Sequence, residues 1–265
     1  RWYLDFSRRS IERLCKNYEE AFYYLKKGQN DLENLLSPID PNYQCRCFRA
    51  GYLQMQPSQN IIEALQNAGF VSDSSVQKGT VAKDNLRILD YSKAYSRYLP
   101  WKISPLEICN RDDSGRIVEF PILTERHILR KTAARITRMM TSKRHRGIDK
   151  LIPGFLAGYS EAIQPNVKLN LQDKIKIFKA KSWDYVDFCR KDNNYLISAI
   201  KKVLAEVNRR KFSDYVPLVF IGHSKDFFFA NHLSLFLDSC RQMKGVEFIT
   251  YSEAVNKHSM INYER

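Results

Sequence analysis

Three polar residues each close an apolar, strand-like run. Arg49 follows Cys45–Phe48, Asp73 follows Phe70–Ser72, and His223 follows Gly222 at the end of Val216–Ile221. A guanidinium, a carboxylate and an imidazole in one place can orient an anion and move protons. In parallel α/β folds functional side chains gather at the carboxyl ends of the strands, so these three positions are predicted to share one mouth. Each also has a plainer reading, since strand-end polar residues cap helices and bond loop backbone. Asp73, in Asp73-Ser74-Ser75, is expected to fix its turn through the neighbouring hydroxyls. Cys45-Arg46-Cys47 has no second Cys or His pair at zinc-finger spacing. Cys15, Cys109, Cys189 and Cys240 are scattered through mostly apolar segments, as reduced, core-filling thiols are.

The elements that must carry these residues can be read from periodicity. Ile11, Leu14, Cys15, Tyr18, Phe22 and Leu25 predict a helix over 8–27, stopped by Gly28. A short strand at Cys45–Phe48 precedes a helix from about Ser58 to Ala68, closed by Gly69, and a second strand reaches Asp73. Residues 77–114 read as an irregular excursion and Arg116–Ile122 as a third strand. The stretch 125–150 carries nine Lys and Arg residues and predicts a basic amphipathic helix. A helix over about Asn193–Val207, the strand Val216–Ile221, a helix over about Phe227–Met243 and a closing strand Val246–Thr250 complete the chain. Strand and helix alternate as in a parallel α/β fold, and Val216–Ile221 is apolar nearly throughout, as a strand covered on both faces must be. About five strands are visible, too few for a closed eight-stranded barrel.

The 265 residues comprise 43 Lys and Arg against 29 Asp and Glu, a net charge of +14, with 44% hydrophobic residues. That composition excludes a disordered chain. No apolar run approaches the roughly 18 residues that span a bilayer. The chain opens Arg1-Trp2-Tyr3, without Met or a signal-peptide pattern, and is expected to lack an upstream part. The basic stretch suits an anionic polymer or a membrane surface, with Arg130, Lys131, Arg135 and Arg138 as the binding residues. Equally, it suits a solvated face packed on the domain.

Phe48-Arg49-Ala50-Gly51-Tyr52, Ile62-Glu63-Ala64-Leu65 and Ala68–Val76, with its Asp73-Ser74-Ser75, resemble the middle of the polysaccharide deacetylases, the NodB-type carbohydrate esterases. Val118-Glu119-Phe120-Pro121-Ile122 is similar to that family's hydrophobic-E-hydrophobic-P strand. Pro217–Ser224, Phe236-Leu237 and Val246–Glu253 are similar to its C-terminal end, so the resemblance covers roughly 43–123 and 190–254. It implies a distorted or incomplete (β/α) barrel, one domain over 1–265, with a basic helical insertion at about 125–165. It implies a hydrolase that removes N-acetyl or O-acetyl groups from a bacterial glycan or its precursor, with a divalent metal, typically zinc, as cofactor. By motif, Arg49 would orient the catalytic Asp, His223 would be the general acid, and Tyr52 and Trp101 would bind substrate.

The family's N-terminal Asp-Asp and His-x-x-x-His motifs are not found here. His127, His145, His223, His232 and His258 do not have that spacing, and Asp112-Asp113 sits in a polar turn. Residue 1 is therefore read as falling just after the second metal motif, with no metal ligand in this chain. The alternative is a non-catalytic barrel that binds a glycan, a protein partner or an anionic surface. The expected location is the cytoplasm or the cytoplasmic face of the membrane.

Overall fold

The computed structural model describes residues 16–83, 88–126, 182–189, 191–210, 215–222 and 230–259, together with 171, 172, 175 and 179. The first helix, α1, spans Tyr18–Leu36, with the Asn17 side chain accepting from Glu20 N at 2.9 Å. It runs through Gly28, the predicted stop, although glycine inside a helix costs about 1 kcal/mol relative to alanine. Contacts beyond the glycine offset that cost. Gln29 is buried and donates to Cys45 O at 2.8 Å, and Glu33 Oε1 accepts from Cys45 N at 3.0 Å.

Strand β1 (Cys47–Phe48) leads to a 3-10 turn at Gly51–Leu53 and then to α2 (Gln59–Ala68). Helix α2 buries Ile61, Ile62, Ala64, Leu65 and Ala68. It ends as its sequence predicts, with Gly69 at φ 87°, Gly69 N bonded to Gln66 O and Phe70 N to Leu65 O. Strand β2 (Ser72–Asp73) follows.

The excursion over 77–114 is more ordered than its composition suggests. It contains an antiparallel hairpin, β3 (Val81–Lys83) with β4 (Ile88–Asp90), and the strand β5 (Trp101–Lys102). Two glutamine side chains act toward β4 as a neighbouring strand would. Gln54 exchanges hydrogen bonds with Ile88 N and O at 2.9 and 2.8 Å, and Gln56 Oε1 accepts from Asp90 N at 2.6 Å.

Strand β6 (Val118–Glu119) is central. The sheet order is β1-β2-β6-β5, with β1, β2 and β6 parallel and β5 antiparallel on the edge. Beyond β6, β7 (Thr124–Arg126) pairs antiparallel with β8 (Trp183–Tyr185). Glu125 and Arg126 thus lie in a strand where the basic helix was predicted to begin; its remaining residues, 127–150, and the insertion to 165 lie outside the described residues.

The apolar segment Val216–Ile221 makes isolated parallel bridges, Val219 to Ile122 and Ile221 to Asp187, rather than a continuous ladder. Helix α3 (Asn193–Arg210) packs Leu196, Ala199, Ile200 and Val203 against Phe236 and Cys240 of α4 (Ala230–Arg241). The predicted closing strand at Val246–Thr250 is not formed. Thr250 and Glu253 build a capping box that starts α5 (Tyr251–Ser259), while Ile249 packs on the Val118–Phe120 cluster.

The architecture is mixed α/β with small sheets, and the described residues form no closed barrel. No helix among them is long and apolar enough to cross a membrane. Cys45, Cys109 and Cys240 are buried thiols and Cys47 and Cys189 half-buried ones, none of them in a disulfide.

Candidate functional site at the strand ends

Arg49 leaves β1 at its carboxyl end, and the neighbouring β2 turns there through Ser74, whose N–H bonds Phe48 O at 3.0 Å. The guanidinium lies against that turn. Nε donates to Ser74 O at 2.8 Å, and Nη2 donates to Ser74 Oγ and to Tyr251 Oη, each at 2.9 Å. Tyr251 Oη donates to Ser74 Oγ at 3.0 Å, and Ser74 Oγ donates to Phe120 O at 2.8 Å. An arginine only donates and a carbonyl only accepts, so every hydroxyl proton in this chain has a fixed direction. Burial raises the pKa of the Tyr251 phenol, against the opposing pull of Arg49. Nη1 has no hydrogen-bond partner among the described residues, which leaves one edge of an exposed guanidinium for a ligand or a carboxylate.

Tyr251 reaches this point because the capping box sets the first turn of α5. Thr250 N and Oγ1 both donate to Glu253 Oε2, at 2.6 and 2.8 Å. The Tyr251 ring meets Phe120 edge-on at 5.9 Å.

Immediately after Arg49 the backbone is strained. Tyr52 and Leu53 adopt φ of 54° and 61°, a region that costs bulky residues of order 1 kcal/mol or more each. Ala50 N donates to Ser75 Oγ at 2.9 Å before the turn, and Tyr91 Oη donates to Leu53 O at its end. Tyr52 is half-buried there.

Behind the turn lies a buried acidic pair. Asp73 and Glu119 are direct partners in the parallel β2–β6 register, and both are 0% exposed. Asp73 fixes its turn as the sequence predicts, accepting from Ser75 N at 3.1 Å and Ser75 Oγ at 2.8 Å. Glu119 Oε1 accepts from Val76 N at 2.9 Å. Burial raises the pKa of both carboxyls, and the Asp73 charge pushes Glu119 higher still.

Of the three residues predicted to share a mouth, Arg49 and Asp73 come together through Ser74, whereas His223 lies outside the described residues. The end of its strand is described only as far as Gly222, whose Cα packs so closely on the Phe188 ring that a Cβ would sit 2.2 Å from it. Trp101 is 1% exposed, with Nε1 bonded to Ile108 O at 3.0 Å and the Tyr95 ring 5.8 Å away, so its ring fills the core. Arg130, Lys131, Arg135 and Arg138 lie outside the described residues.

No three His, Cys, Asp or Glu side chains among the described residues gather around a point that could hold a metal. Asp73 and Glu119 do not fit one, because both are fully buried, with both Asp73 oxygens bonded to Ser75 and Glu119 Oε1 to Val76 N. Tyr251 carries no expected role from sequence and Ser74 only that of a turn hydroxyl, though the T-x-x-E box at Thr250–Glu253 signals the helix that delivers Tyr251. Comparison with protein-family models, with curated proteins and with solved structures finds no match for this chain.

Proposed function

We propose that the chain is the carboxyl-terminal part of a metal-dependent carbohydrate deacetylase, and that its parallel strands belong to a distorted (β/α) barrel. The observation that supports this most is Arg49, clamped by Ser74 and Tyr251 at the carboxyl end of a parallel strand with one guanidinium edge open. On this reading the open edge orients the carboxylate that serves as base, and His223 protonates the leaving amine. Water adds to the acyl carbon, the C–N bond breaks, and acetate and the free amine leave. Tyr52, in the turn that follows Arg49, would meet the sugar. No group of three His, Cys, Asp or Glu among the described residues could hold the divalent metal that this reading calls for, zinc by resemblance.

A second reading rests on charge. The chain carries +14, and nine of its Lys and Arg residues fall within 125–150. Binding of an anionic polymer or membrane surface through Arg130, Lys131, Arg135 and Arg138 would use that excess.

The test is acetate release from an N-acetylglucosamine oligomer by the purified intact protein that contains this chain, with added zinc and with chelator. Deacetylation predicts zinc-dependent release that His223→Ala slows by about 10²-fold or more. Zero release with zinc present overturns it. Binding to an anionic polymer that falls steeply with salt then selects the second reading.

A further inference from the structure

Among the described residues two pairs of acids face each other across neighbouring strands, and they are neutralised differently. Glu125 and Asp184 are partners across β7 and β8, both about 5% exposed. Each has its own lysine: Lys202 Nζ lies 3.0 Å from Glu125 Oε1, and Lys191 bonds Asp184. Asp73 and Glu119 are more deeply buried, yet neither is hydrogen-bonded to a cation. Arg49, whose charge pulls the Glu119 pKa down, directs its hydrogen bonds to Ser74 and Tyr251. The other groups that face the pair are the Tyr91, Cys109 and Tyr251 side chains, all of which burial holds in the neutral form.

The oxygens also leave a gap. Both Asp73 oxygens accept from Ser75 and Glu119 Oε1 accepts from Val76 N, while Glu119 Oε2, like the lysine-paired Glu125's Oε2, is buried without a donor among the described residues. The Asp73 and Glu119 carboxyls stand within hydrogen-bonding reach of each other. Two carboxylates in that position would be an unpaired double charge in the core, whereas one proton between them turns the orphaned oxygen into a donor.

We propose that Asp73 and Glu119 share one proton at neutral pH, and that this carboxyl–carboxylate bond is a positioning pair for the turn that clamps Arg49. The path is short. Glu119 holds Val76 N, Asp73 holds Ser75, Ser75 Oγ holds Ala50 N, and Ser74 holds the guanidinium. The proposal does not rest on the deacetylase reading, and its readouts need no substrate.

Infrared difference spectroscopy on the wild-type protein at neutral pH is expected to show a protonated-carboxyl C=O stretch that disappears in Glu119→Gln. Absence of that band in the wild type overturns the shared proton, whatever the variant does. Stability supplies a second readout. Both pKa values are raised from about 4 in the unfolded chain, so the folded pair binds more protons and wild-type stability falls as pH rises above that value. Glu119→Gln, a neutral isostere that can donate to Asp73, is expected to remove this fall, so its denaturation midpoint gains on the wild type between about pH 5 and pH 8. Parallel curves overturn the proposal.

The positioning role is read by NMR from hydrogen exchange of the Arg49 side-chain Nε–H. Exchange is expected to stay slow in Glu119→Gln and to accelerate at least several-fold in Glu119→Ala, with the Arg111 Nε–H, bonded to Asp113 at 2.9 Å, unchanged in both. Equal exchange in the two variants overturns that role. Should Glu119→Ala not fold, Asp73→Asn against Asp73→Ala makes the same comparison.

Discussion

At the scale of single residues, Arg49 is held by groups that were dispersed in the sequence. Ser74 is 25 positions away and Tyr251 is 202, and both meet the same guanidinium nitrogen at 2.9 Å. Ser74 is the hub, because its hydroxyl takes bonds from Arg49 and Tyr251 and gives one to Phe120 O. Removing Tyr251 Oη leaves Arg49 two of its three bonds and leaves Ser74 still able to donate. Removing Ser74 Oγ strands two donors and an acceptor. Tyr251→Phe is therefore expected to cost about 1 kcal/mol and Ser74→Ala about 2–3, measured as a difference in urea denaturation midpoints. The reverse order would mean that the network does not run through Ser74. Asp73 was legible as a turn former because Asp-Ser-Ser offers a carboxylate and two hydroxyls in a row. Its partner Glu119 was not, since nothing local says which strand lies beside β2.

At the scale of elements, local rules held where they competed with nothing else. Gly69 ends α2 because a left-handed residue lets Gly69 N and Phe70 N take the last carbonyls. Gly28 did not end α1, because Gln29 and Glu33 gain bonds to the Cys45 backbone only if the helix continues. Val246–Thr250 has strand-like residues, yet Glu253 three places after Thr250 starts a helix and so aims Tyr251. Thr250→Ala is expected to cost about 1 kcal/mol and to lower Tm by about 3 °C, while Thr250→Ser, which keeps the hydroxyl, costs less. Equal losses in calorimetry would show that the cap does not set α5. The hairpin β3–β4 was hidden for another reason. Its outer edge is read by the Gln54 and Gln56 side chains, and no periodicity signals a side-chain amide standing in for a strand.

At the scale of the whole molecule, the two larger of three apolar cores among the described residues divide helices α1 to α4 between them. One gathers α1, α2 and the excursion around Met55, Tyr91 and Trp101; the other gathers α3 and α4 around Leu196 and Phe236. Gly79, at φ 87° and bonded through N–H to Tyr91 O, lies against Trp183 of β8, where a Cβ would come within 2.1 Å of the ring. Gly79→Ala is expected to cost roughly 3 kcal/mol from left-handed strain and overpacking together, seen as an early loss of the folded baseline in denaturant. A near-neutral result would show that Gly79 is not closely packed on Trp183. By itself the sequence determined the mixed α/β character, the start and stop of α2, the Asp73 turn and the basic excess, because each depends on composition or on neighbours a few residues apart. It did not determine the burial of Val216–Ile221, which is half-buried at all but Pro217 rather than covered on both faces. Only the tertiary structure decided that α1 passes Gly28, that Tyr251 completes the Arg49 clamp, that Trp101 belongs to the core, and that Asp73 faces Glu119. Those outcomes depend on strand register and on which side chains arrive from distant parts of the chain, and hydrogen bonds made over such separations leave no spacing to read.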